Sequence, residues 1–270
     1  MKKIILVSIL AFTFLFSCKK KAEETPQPII DPITGETVLT KYGDVELELQ
    51  HFVGGELLSL NKDYVNSSNE TFQITAFKYY VSNVKLIKSN GSKTSIPNMY
   101  VLVDAVKYDA SSTFNILLRK VPEGNYSSIS FLIGVDSAKT VSGALAGDLS
   151  PETDGEHITW VWEGYTGVYF AGTSVASTKS DKTFTYRIFG YKGKYNALQT
   201  ITINFGNSLL MAKQNAVPSL HLYVDVLEFF KNPNTISIAK IPETQREADS
   251  TNQAISRNYV DMFKLAHIHN

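Results

Sequence analysis

The sequence predicts an all-β fold, an antiparallel β-sandwich with a C-terminal helix packed on it. Apolar and polar residues alternate with period two in short runs, and glycine, proline and asparagine separate those runs. Only near the C-terminus does the apolar period change to that of a helix.

The first run, residues 44–53, places Val45, Leu47, Leu49, His51 and Val53 on one side, and Glu46, Glu48 and Gln50 on the other. That strand has a clear inside. Further strands are expected at 71–77, 81–88, 99–104, 114–118, 126–135, 157–170, 183–189, 198–205 and 220–229. Asn90-Gly91 supplies the backbone freedom of a tight hairpin, and Pro122-Glu123-Gly124 supplies another turn. A series of short strands with regular turns suits a sandwich. The helix is expected from about residue 244, after Pro242, to about residue 264, with Ile255, Tyr259, Met262 and Phe263 as its packed stripe.

The N-terminus carries a different signal. Lys2 and Lys3 precede an apolar run from Ile4 to Phe16 that ends in Leu15-Phe16-Ser17-Cys18. This run is shorter than the roughly 20 residues of a membrane-spanning helix and has the order of a secretory signal. Leucine three residues before the cysteine and serine just before it resemble a lipobox. Residues 1–18 are therefore read as a lipoprotein signal peptide, with acylated Cys18 as the anchor. Lipidation would leave an exported domain with no free thiol, because Cys18 is the only cysteine. Residues 19–40, charged and holding Pro26, Pro28 and Pro32, read as a flexible tether, and 41–270 as one β domain. The expected location is the cell envelope, lipid-anchored, at the outer membrane. Formal net charge is zero; losing the two signal lysines leaves the chain slightly acidic, so no nucleic-acid partner is implied.

No Gly-x-Ser-x-Gly elbow, His-Glu-x-x-His zinc helix, phosphate loop or haem-attachment cysteine pair occurs. A non-enzymatic protein is expected. The histidines carry more information. His51 continues an apolar face, so it needs either a hydrogen-bond partner or a metal. His221 shares a strand face with Tyr223, Asp225 and Leu227, opposite the apolar Leu220, Leu222, Val224 and Val226. His267 and His269 would lie on one side of an extended segment, and His157 sits in a polar run. Trp160 and Trp162 share one strand face, where core or rim packing is their ordinary role.

Several runs, in this order, resemble the MbnP-like copper-binding family, exported proteins named for a member encoded beside methanobactin genes. They are His51-Phe52-Val53-Gly54-Gly55, Tyr79-Tyr80-Val81-Ser82-Asn83-Val84, Gly134-Val135-Asp136-Ser137, Leu149-Ser150-Pro151, Trp160-Val161-Trp162, and Asn258-Tyr259-Val260-Asp261-Met262-Phe263 leading to His267-Ile268-His269. The resemblance implies a β-rich domain that binds copper through imidazoles. His51 is then the first ligand candidate, His267 and His269 match the family's terminal His-x-His, and His221 is a further candidate. In some relatives a tryptophan oxidised to kynurenine by a MauG-type di-haem partner joins the site, which points to Trp160 or Trp162. Where relatives read Tyr-His-Ile-Gly-Gly, this chain has Tyr186-Arg187-Ile188-Phe189-Gly190, and an arginine cannot ligate a metal. The expected protein is a membrane-tethered copper-binding lipoprotein in which His51, the terminal pair and a tryptophan share one site. Its rival is a metal-free sandwich that binds a glycan, peptide or envelope protein.

Overall fold

The computed structural model describes residues 40–107, 112–143, 145–150 and 164–270 in full, and residues 29–30, 37–38 and 160–161 by their backbone. The chain divides into Met1–Thr40 and Lys41–Asn270. In the first unit Ile29–Ile30 pairs antiparallel with Thr37–Val38. Cys18 and the expected signal lie outside the described residues.

Lys41–Asn270 is a β-sandwich. Its five-stranded sheet runs in the order Phe263–His269, Ser219–Asp225, Tyr42–Val53, Glu56–Leu57, with Thr113–Pro122 also paired to Tyr42–Val53. The eight-stranded sheet runs Thr183–Ile188, Val168–Thr173, Thr71–Ile87, Ser128–Ile133, Gln199–Asn204, and three short strands join the long Thr71–Ile87. The alternation read from the first run holds: Val45, Leu47, Leu49 and His51 are fully buried, while Glu46, Glu48 and Gln50 stay partly exposed. Opposite them, Phe72, Phe77, Tyr79 and Val81 of the long strand complete the core. Phe170 anchors that core, meeting Phe184 at 5.4 Å and Phe229 at 5.1 Å in edge-to-face contacts, each burial contributing about 2 kcal/mol.

Four expectations need correction, the first being the strand at 220–229, which ends at Asp225 and gives way to a turn of 3-10 helix, Val226–Phe230. Residues 71–77 and 81–88 form one strand, Thr71–Ile87, rather than two, because Lys78, Tyr79 and Tyr80 continue the ladder against Tyr100–Asp104. The sandwich is not wholly antiparallel, since Tyr42–Val53 and Ser219–Asp225 pair in parallel. The C-terminal helix is shorter than expected, covering only Ser250–Asn258 before a turn of 3-10 helix, Tyr259–Met262, and then the strand Phe263–His269. Its start is set by Asp249, whose carboxylate accepts from the Asn252 amide at 2.7 Å. Thr244, the expected start, instead exchanges hydrogen bonds through its hydroxyl with the backbone of Arg187 (2.7 and 2.9 Å). The apolar stripe Ile255, Tyr259, Met262 and Phe263 is buried as expected, though its last member already belongs to a strand.

Candidate metal centre

Strand register assembles a row of polar side chains on the outer face of the five-stranded sheet. His267 lies opposite His221 across an antiparallel pair, and His221 lies beside Glu48 across the parallel pair. Glu48 in turn lies opposite Asn115. The neighbouring row holds His269, Ser219 and Glu46. Residues paired across strands point to the same face. Leu220, Leu222 and Val224, which alternate with His221, are fully buried on the other side.

Within this cluster His221 Nδ1 and His267 Nε2 are 3.2 Å apart. The ring centroids of His221 and His267, and of His267 and His269, are each 4.6 Å apart. Glu48 Oε2 lies 3.9 Å from His221 Nδ1. His221 is the most enclosed of the cluster, and its Nε2 is buried with no hydrogen-bond partner, a condition costing about 1–3 kcal/mol. Burial pushes the His221 imidazole below its ordinary pKa; Glu48 opposes the shift, and His267 and His269 add to it. A neutral imidazole keeps a lone pair free for a metal. Two nitrogens bound at about 2.0–2.1 Å to one tetrahedral ion lie about 3.3 Å apart, so the His221–His267 separation suits a shared ion. Among the described residues, no three His, Cys, Asp or Glu side chains already converge as a metal site. The arrangement is a pair of facing imidazole nitrogens, with His269 and Glu48 at its margins.

His51 lies elsewhere. It is fully buried between the sheets, its Nδ1–H donating to the Ser112 carbonyl oxygen at 3.0 Å and its Nε2 accepting from the Tyr79 hydroxyl at 3.0 Å. Both nitrogens are satisfied, and burial lowers its pKa to about 4. The expected joint site of His51 with His267 and His269 is not assembled. His51 pairs beside Val224, on the face opposite that of His221 and His267, and the sheet backbone separates them.

The tryptophan run is also set apart. Trp160–Val161 pairs with Gly164–Tyr165, and Tyr165 packs against Tyr80 (5.8 Å between centroids), Val135 and Leu149. Tyr80 points away from the main core to which Tyr79 and Val81 belong. This places the tryptophan strand by the outer face of the eight-stranded sheet, with the sandwich between it and the histidine cluster; packed sheets are about 10 Å apart. Trp162 and His157 lie outside the described residues. Arg187 also belongs to the eight-stranded sheet, its guanidinium 5.2 Å over the Tyr169 ring, so its charge is remote from the cluster.

Described residues of four other resembling stretches make structural contacts. Gly54 N–H donates to Asp225 at 2.8 Å. Ser82 donates to the Gly134 carbonyl at 2.7 Å, and Asp136 caps the helix Ser137–Val141 through Lys139 N–H at 3.0 Å. Asn258, fully buried, donates to the carbonyls of Phe229 and Asn234 (3.0 and 2.6 Å). Glu48 is the cluster member that sequence reading missed. Its outward position was legible, but its neighbours depend on pairings between distant segments.

No curated protein sequence is significantly similar to this chain. Among solved structures, MbnP from Methylosinus trichosporium matches with 13% identity, covering 77% of this chain and 83% of that one, at a TM-score of 0.49. The MbnP family profile matches residues 42–250, nearly the whole sandwich, ending before the strand that carries His267 and His269. On that match, this chain belongs to the MbnP family.

Proposed function

We propose that this chain is a non-enzymatic copper-binding lipoprotein that captures or handles copper outside the cytoplasm. Membership of the MbnP family supports a copper-related, extracytoplasmic role. The observation that carries the reading is the 3.2 Å approach of His221 Nδ1 to His267 Nε2 on an accessible sheet face. Imidazole suits copper, and a site without thiolate relies on it. His221 and His267 are the primary ligands in this reading, and His269 adds a third imidazole after a side-chain rotation. His51, with both nitrogens engaged, is left out. A di-haem partner acting on Trp160 would work at the other sheet's outer face, so tryptophan oxidation is separate from this copper seat.

Equilibrium dialysis of the full chain against copper, with zinc as control, tests the reading. One tightly held copper per chain is expected, with His221→Ala and His267→Ala each weakening it about a hundredfold, or about 2.7 kcal/mol. Unchanged affinity in both variants would remove this seat, and no copper uptake by the native chain would favour the metal-free reading. The anchor is tested separately. Cys18→Ala should shift the protein out of the membrane fraction, since acyl chains bind by about 0.8 kcal/mol per buried methylene.

A further inference from the structure

We infer that the end of the sandwich where the tether joins rests on an anionic lipid surface, held there by lysines that no carboxylate pairs. The inference rests on the lipid-anchor reading above and adds which way the domain faces its membrane.

The chain as a whole has no net charge, but its cations are unevenly placed. Lys41, Lys88, Lys93, Lys120 and Lys213 meet at one end. The Lys41 carbonyl accepts from the Glu123 N–H (2.9 Å), and the Gln214 N–H, next to Lys213, donates to the Glu123 carboxylate (2.6 Å). Lys120 N–H donates to Asp44 (3.1 Å), the Lys213 backbone packs against Gly43, and the tip of the Lys88 side chain reaches Gly124. Lys93 pairs with Ile87, beside Lys88. Among the described residues none of the five forms an ion pair. The nearby carboxylates are engaged, Glu123 by backbone and Asp44 by the Lys120 N–H and Arg119 (3.7 Å). At the opposite end, by Thr71, the cations Lys62, Lys179 and Lys231 are instead paired with Glu56, Glu243 and Glu228. Unpaired lysines attract headgroup phosphates within about one Debye length, about 8 Å at physiological salt. Tyr42, Leu209 and Val217 add exposed apolar groups at the same end, and such groups suit the boundary between headgroups and acyl chains. The tether read from residues 19–40 enters the domain at Lys41, so an acylated Cys18 holds this end near the bilayer.

The test places the full chain, as its host exports it, in vesicles of phosphatidylcholine alone or with about 30% phosphatidylglycerol. Each lysine is read by amine labelling and peptide mass spectrometry. In the anionic vesicles Lys88, Lys93, Lys120 and Lys213 should label about fivefold more slowly than in the neutral ones, and about 0.5 M salt should restore their rates. Lys62 and Lys240, at the opposite end, should keep theirs. In the double variant Lys88→Glu, Lys213→Glu, the remaining Lys93 should label at its neutral-vesicle rate. Equal rates in the two kinds of vesicle, or slowing at both ends alike, overturn the inference while the anchor reading stands. Intact mass reports the acyl chains on Cys18, and a chain without them removes both readings. Circular dichroism confirms that the double variant, changed only at surface side chains, keeps the folded sandwich.

Discussion

His51 and His221 stand on adjacent parallel strands, three register positions apart, and have opposite surroundings. His51 pairs beside Val224 and points into the core, where Tyr79 and the Ser112 carbonyl use both of its nitrogens. His221 pairs beside Glu48 and points outward, where one nitrogen meets His267 and the other has no partner. A buried imidazole with both lone pair and proton engaged is a cross-brace between two sheets. One whose Nδ1 faces a second imidazole on the outer side of the sheet is available for chemistry. The family resemblance made His51 the first ligand candidate, whereas its location on an apolar face, which left a hydrogen-bond partner or a metal open, is here the mark of a structural residue.

The largest test of that contrast is removal of the brace. His51→Ala leaves a cavity and orphans the Tyr79 hydroxyl, while the Ser112 carbonyl keeps the backbone N–H of residue 51, so unfolding free energy should fall by about 3 kcal/mol in a denaturant titration. Copper stoichiometry in the folded fraction should be unchanged. A copper loss with little destabilisation would reverse the two roles.

Acid should expose the same difference on a similar scale. His51 has an ordinary pKa of 6.5 and a folded value of about 4. Above pH 6.5 both folded and unfolded forms are neutral there, and the residue contributes no pH dependence. Between 6.5 and 4 the unfolded chain gains a proton that the folded chain refuses, so stability declines with acidification by about 3 kcal/mol in total. Chemical unfolding across this range should show the slope, and His51→Gln should flatten it. An identical slope in the variant would place the titrating group elsewhere.

The smallest expected effect sharpens the separation of the two outer faces. Trp160→Phe should leave copper affinity within about twofold in the dialysis used for the histidine variants, because the tryptophan strand is paired near Tyr165 and Tyr80 on the other sheet. A large loss would bring the tryptophan into the copper seat and break the assignment.

The sandwich was legible because its strands alternate locally. Val45, Leu47 and Leu49 against Glu46 and Glu48 needed no partner strand to declare an inside. The end of the chain was less legible. Ile255, Tyr259 and Met262 fall at helical spacing and are buried, but the helix stops at Asn258, whose side chain turns to the carbonyls of Phe229 and Asn234. Past Met262, pairing with Ser219–Asp225 wins over helical continuation, a tertiary preference that periodicity within the segment does not contain.

The sequence by itself determined which face His51 and His221 occupy along their strands, since side-chain direction follows from a period of two within a few residues. It also pointed to the family, through runs of which several described residues cap a helix or make buried hydrogen bonds. Only the tertiary structure decided which histidines meet. Glu48, His221 and His267 come from three distant segments, and a slip of one residue in either pairing would turn a whole strand over and scatter the row. Long-range register is set by the packing of both sheets together, and no window of the sequence carries it.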